Sequence, residues 1–259
     1  MDEKAPFRRI ALIDEVRGLA IFLMVIYHTF FDLVVIFRLN IPVFYSGLVQ
    51  FLVALFGGLF IFISGTACHL SRSNLKRGAL CFALGLLLTL VTTLFLPQEQ
   101  ILFGILHFLG VAMMLFPLLE PLLRKVPPGL GLAACLLLAV LCYHIPDGYV
   151  GFEDLFRLDL PRGPYLAEWL FWLGFPGDAF VSSDYFPILP WIFVFLAGSF
   201  FGVFVKERRL PNWFYATQEE QPRALRPLAF IGRHTLIIYL LHQPVVYGAL
   251  MLIFALTGK

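Results

Sequence analysis

Little of this chain is charged. Asp, Glu, Lys and Arg make up 14% of its 259 residues, against about 25% in an ordinary water-soluble domain. So few ionic groups cannot coat a globule of this size, and a soluble domain is excluded. Disorder is excluded as well, because 60% of the residues are hydrophobic and disordered chains are poor in apolar side chains. The net charge of +2 leaves no basic footprint for nucleic acid. Cysteine is scarce: Cys68, Cys81, Cys135 and Cys142 lie in apolar runs with no C-x-x-C spacing. That argues against a zinc site and against a secreted disulfide framework, and small buried hydrophobes are the expected role. Internal repeats and low-complexity tracts are also missing.

What the chain has instead is long apolar runs, rich in its 29 phenylalanines. A helix needs about 20 apolar residues to cross the hydrocarbon core. Seven stretches qualify: Glu15–Phe37, Gly47–Leu70, Gly78–Leu96, Ile101–Leu123, Gly129–His144, Pro187–Val205 and Gly232–Leu256. A shorter one, Ala167–Phe175, carries Trp169 and Trp172 and reads as an interfacial or re-entrant segment. The predicted fold is an all-α, polytopic transmembrane helix bundle of about seven spans. It is expected to form one transmembrane domain over residues 1–259, with 145–186 as an outer capping loop. The first span is too long for a cleaved signal peptide, holds His28 and Asp32, and lacks a small-residue cleavage site.

The charges sort by side. Lys4, Arg8, Arg9, Arg72, Lys76, Arg77, Arg124, Lys125, Lys206, Arg208, Arg209, Arg223 and Arg226 fall in alternate connections. The opposite connections hold Arg38, Arg157, Arg162 and Lys259, and carry Glu99, Asp147, Glu153, Asp154, Asp159, Glu168, Asp178 and Asp184. By the positive-inside rule the N-terminus is expected in the cytoplasm and the C-terminus outside.

Ionisable residues inside a span are costly and are candidates for function. On the first span, Asp14, Arg17, His28 and Asp32 fall within an arc of roughly 60° at the α-helical 100° per residue. Arg17 and His28 stand about 16 Å apart along the axis, which puts Arg17 near the cytoplasmic surface. His28 and Asp32 form an i, i+4 pair, and a carboxylate that orients an imidazole suits a general base. A polar clamp between helices is the plainer role for His28. The last span opens with Arg233 and His234 and contains Thr235, Tyr239 and His242 on one face, followed by Gln243 and Pro244. Arg233 there suits either headgroup snorkelling or an anionic ligand. His107, between Gly104 and Gly110, is either a packed, hydrogen-bonded histidine or a site residue. Asp184, before Tyr185, Phe186 and Pro187, suits a helix cap as well as a site. Arg17, Arg72 and Arg233 are expected together at the cytoplasmic entrance, and His28, Asp32, His107 and Asp184 toward the outside. Arginines suit a phosphate-bearing ligand, and histidine with carboxylate suits proton abstraction.

The segment Asp14-x-x-Arg17-Gly18, continuing through Met24 and Val25 to His28, resembles the first-helix signature of integral-membrane acyltransferases. The chain as a whole resembles bacterial members of the heparan-α-glucosaminide N-acetyltransferase catalytic-domain family. The similar pieces are Phe60 to Gly65, Ile105 to Gly110, Asp184-Tyr185-Phe186-Pro187 with Pro190 and Trp191, and Gly232-Arg233-His234 through Tyr239 to His242-Gln243-Pro244. The resemblance implies acetyl or acyl transfer from cytoplasmic acetyl-CoA to a sugar amine or hydroxyl on the outer side of a bacterial plasma membrane. It implies no resident cofactor. The partners it implies are acetyl-CoA, a glycan acceptor and membrane lipid.

The combined expectation has His28 as general base, supported by Asp32, with Arg17, Arg72 and Arg233 on the CoA phosphates. Asp14, His107, Asp184, Tyr239, His242 and Gln243 would support or bind substrate. A proton-coupled transporter or flippase with a His28–Asp32 relay is the alternative. A haem-binding electron carrier with His28 and His107 as axial ligands is a third.

Overall fold

In the computed structural model, residues 9–71, 73–152 and 155–257 are described. The helices are α1 (Ala11–Phe31), α2 (Gly47–Ala67), α3 (Asn74–Phe95), α4 (Ile105–Leu123), α5 (Pro128–Leu141), α6 (Gly163–Leu166), α7 (Ile188–Lys206), α8 (Arg226–Arg233) and α9 (Thr235–Thr257). Seven are long and apolar enough to span a membrane once α1 is taken on to Ile36 and α5 to Asp147. These are the seven stretches expected from hydropathy, with ends shifted by a few residues. The transmembrane helix bundle is therefore the fold class.

Their boundaries follow local chemistry. Pro128 occupies the first turn of α5, where its missing N–H would have had no partner. Ser73 caps α3, its hydroxyl accepting from the Lys76 N–H at 3.3 Å. Beyond Phe31 the first span does not stop. It continues as a π-helical turn, Asp32–Ile36, in which the Phe37 N–H donates to the Asp32 carbonyl at 2.9 Å.

The last span differs from expectation at its start. The run Gly232–Leu256 is broken at His234, which ends α8. Arg233 and Gly232 belong to α8, a short amphipathic helix with Ala229 and Gly232 buried. Arg233 and His234 stand at the break, and the membrane-spanning helix begins only at Thr235. The segment expected to be interfacial forms a 3-10 helix, Glu168–Leu173. The rest of the 145–186 connection contains an antiparallel hairpin, β1 (Tyr149–Phe152) with β2 (Phe156–Asp159).

The chain divides into two compact units, Met1–Phe60 with Leu210–Lys259, and Ile61–Arg209. In the first, α1 packs on α8 and α9. The crossing of α1 and α8 is set by Gly18 and Gly232. A Cβ on Gly18 would land on the Leu228 carbonyl, and one on Gly232 on the Asp14 carbonyl, so only glycine lets the two backbones come this close. In the second unit, α3 packs on α4, and α5 on α7. Phe195 of α7 meets Phe108 and Phe116 of α4 edge-on, and all three rings are buried. The Thr66 hydroxyl donates to the Gly198 carbonyl at 3.0 Å, tying the end of α2 to α7. Outward faces are apolar: α9 exposes Ile237, Leu241, Val245, Leu252 and Ile253. Such a surface is stable only against lipid or another apolar partner.

Candidate functional site

The first unit carries two polar clusters along α1. Near its start, Asp14 accepts from Arg17, one turn on, at 3.3 Å. Arg233, at the end of α8, meets the other oxygen of the same carboxylate at 3.5 Å. The Arg233 guanidinium also donates to the Gln218 side-chain oxygen. Two of the three arginines expected together thus share one carboxylate. Arg72 lies outside the described residues.

The second cluster lies at the far end of α1. The His28 ring stands against His242 of α9, with centroids 4.9 Å apart and planes inclined by 59°. Tyr27 and Phe31 flank it, and Tyr27 stacks on Phe44 at 5.4 Å. The His242 Nδ1–H donates to the Tyr239 carbonyl at 2.6 Å. This fixes the tautomer and leaves Nε2 with the lone pair. That nitrogen is buried and has no hydrogen-bond partner among the described residues. Asp32 is fully buried and accepts from Gln243 Nε2 at 2.5 Å. Gln243 Oε1 is likewise buried without a partner among the described residues. His28, Asp32, Tyr239, His242 and Gln243 are therefore brought together by two helices, with the π turn of α1 placing the carboxylate. Such turns recur at functional positions.

His107 and Asp184 fall in the second unit, and there they meet at the start of α4. The Gly104 N–H donates to His107 Nδ1 at 3.2 Å. His107 Nε2 lies 3.3 Å from the Thr89 hydroxyl, which itself donates to the Ile101 carbonyl at 2.5 Å. His107 is therefore the Nε2–H tautomer, with both nitrogens engaged. Asp184 Oδ2 accepts from the Ile105 N–H at 3.0 Å. It caps α4, seventy-nine residues back, rather than the helix it precedes. Tyr185 donates to the Phe171 carbonyl at 2.6 Å, and burial pushes its phenol well above the usual range. These groups fold the start of α4 against the 145–186 connection.

The second unit also holds a cavity of about 650 Å³ lined by His69, Glu120, Arg124, Lys206 and Arg209 among others. Two of its cations are already paired, Arg124 with Glu120 and Arg209 with Glu207, each at 2.7 Å. No residue singled out from the sequence as catalytic or supporting lines it.

Comparison with protein families matches residues 9–244 to the catalytic part of heparan-alpha-glucosaminide N-acetyltransferase. The chain belongs to this family. The match runs from the start of α1 through His242 and Gln243 to Pro244, so it encloses both clusters of the first unit and the whole second unit. The family resemblance read from the motifs is thereby established, and with it the type of protein, a membrane acetyltransferase. No curated protein and no solved structure matches the chain.

Several partners in this family member were not evident from sequence. Thr89 is one polar residue in an apolar span, and nothing in its spacing marks it as the His107 partner. Gln218 sits in a polar connection. The pairing of His242 with His28 joins residues on helices at opposite ends of the chain, beyond any periodicity.

Proposed function

We propose that this family member moves an acetyl group from cytoplasmic acetyl-CoA to an amine or hydroxyl of a sugar or glycan acceptor outside a bacterial plasma membrane. The observation that carries this reading is the family match across residues 9–244. The alternation of basic and acidic connections supports a cytoplasmic N-terminus, which would put Asp14, Arg17 and Arg233 on the donor side.

Arg17 and Arg233 bring two positive charges to the single Asp14 carboxylate. The forked guanidinium geometry suits the phosphates of CoA, with Arg72 as the third contact. His28 takes a proton from the acceptor nitrogen or oxygen. That atom attacks the thioester carbonyl carbon, the C–S bond breaks with its electron pair on sulfur, and the proton ends on the CoA thiol. Tyr239 is the candidate donor to the developing oxyanion. Asp32, one turn beyond His28, holds negative charge near the imidazole while it carries the proton.

The test is purified protein in detergent with acetyl-CoA and a panel of amino sugars and neutral sugars. Free CoA and an acetylated acceptor should appear together, and His28→Ala should lower turnover by about 10²–10⁴-fold. Sugar movement across a proteoliposome membrane without CoA consumption would overturn the proposal.

A further inference from the structure

The cluster at the far end of α1 holds more than the single base assigned above. Two adjacent residues of α9, His242 and Gln243, each bury an acceptor atom with no hydrogen-bond partner among the described residues. The other polar atom of each is already spent, His242 Nδ1–H on the Tyr239 carbonyl and Gln243 Nε2 on Asp32. A buried acceptor left unpaired costs about 1–3 kcal/mol, so two beside one another call for an explanation. A ligand that offers N–H or O–H groups would satisfy both. The amine and hydroxyls of a sugar carry such donors, and an apolar ligand or a ligand with acceptors alone does not.

His242 has the further property that defines a base. Its tautomer is set by a carbonyl on its own helix, so the Nε2 lone pair cannot rotate away into a bonded role. His28 is in ring contact with it, the centroids 4.9 Å apart and the planes inclined by 59°. We infer that His242 is a second catalytic histidine, whose Nε2 contacts a donor group of the sugar acceptor and shares with His28 the proton that the acceptor gives up. The inference rests on the acetyl-transfer reading above and adds the acceptor's contact atoms to it. One proton leaves the acceptor N–H or O–H as the new bond to the acetyl carbon forms. The histidine pair holds it while the C–S bond breaks, and it then passes to the departing sulfur, so neither ring is changed over a cycle. Gln243 Oε1 receives a second donor of the same acceptor and fixes which group faces the pair.

The test compares His28→Ala, His242→Asn and the double variant as full-length protein in proteoliposomes, with acetyl-CoA and an amino-sugar acceptor. Asn at 242 keeps a donor for the Tyr239 carbonyl and removes the base, so a packing role would be rescued and a catalytic one would not. His242→Gln, also without a base, is read in the same way if the Asn variant unfolds. With thermal unfolding unchanged, kcat should fall by about 10²-fold or more in each single variant. The double variant should be no worse than the poorer single, as for residues that act as one unit. The limb of the pH–rate profile that reports the base should also disappear in His242→Asn. Turnover within a few-fold of the parent in His242→Asn, with His28→Ala inactive, would overturn the inference and leave His28 as the only base. A parent protein silent with every donor and acceptor would instead overturn the acetyl-transfer reading itself.

Discussion

Gln243 donates to Asp32 at 2.5 Å, joining the middle of α9 to the π turn that ends the first span. The contact links residues 211 positions apart and closes the polar cluster around His28. Gln243→Ala removes a hydrogen bond to a fully buried carboxylate, worth about 1.5–3 kcal/mol for a charged partner. The variant should unfold at lower temperature in detergent and lose turnover as well, since the Asp32 carboxylate, one turn from His28, loses its anchor. An unchanged melting temperature would show that the bond contributes nothing to the fold.

Close approach of α1 and α8 makes a second prediction with a control of opposite sign. Gly18→Val should cost about 1–3 kcal/mol through overpacking, because its Cβ would meet the Leu228 backbone. Gly248, in α9, has open space around it, so Gly248→Ala should be neutral or gain about 0.5–1 kcal/mol from helix propensity. Thermal unfolding of the two variants side by side separates crossing geometry from helix propensity.

His107 and His28 should respond differently to substitution. His107 bonds with both nitrogens, to Gly104 and Thr89, so His107→Ala should cost about 1–3 kcal/mol of stability. The activity of the protein that remains folded should change little. Asp184→Ala, which uncaps α4, should cost about 1 kcal/mol. Equal melting temperatures for His107→Ala and the parent, with activity abolished, would put His107 in the chemistry instead.

Arg17→Ala and Arg233→Ala should each weaken CoA binding about tenfold, equivalent to 1.4 kcal/mol, with kcat nearly kept. The loss should shrink as ionic strength rises, because these side chains are partly exposed and salt screens exposed charges. Titration of CoA into detergent-solubilised protein at two salt concentrations reads both effects.

His69, just past the end of α2, supplies a pH dependence. Burial lowers its pKa, Glu120 opposes this, and Lys206 and Arg124 add to it. Its folded form is therefore neutral at pH values where the unfolded chain, with an ordinary value of about 6.5, already binds a proton. Stability is complete above about pH 6.5 and falls as the pH drops toward the lowered folded value. The difference in melting temperature between pH 7.5 and 5.5 should be smaller in His69→Gln than in the parent. Identical slopes would show that His69 carries no part of the acid sensitivity.

The membrane class was legible from composition, because 14% charge leaves no way to cover an apolar chain in water. The seven spans were legible from the length of the apolar runs. The polar face of α1 was legible from helical period alone, since 3.6 residues per turn decide which side chains of one helix share a face. The same period also grouped Tyr239 with His242 on α9.

Only the tertiary structure decided which faces meet. Helical periodicity does not say which helix stands opposite or at what height, and that depends on where backbones can approach, as at Gly18 and Gly232. It was this packing that set His242 against His28 and gave Arg17 and Arg233 one shared carboxylate. It also turned Asp184 back to cap α4 and ended α8 at Arg233 before the final span begins. The residues available for chemistry were set by the order of the amino acids. Their partners were set by the distances at which two helices, far apart in the chain, can pack.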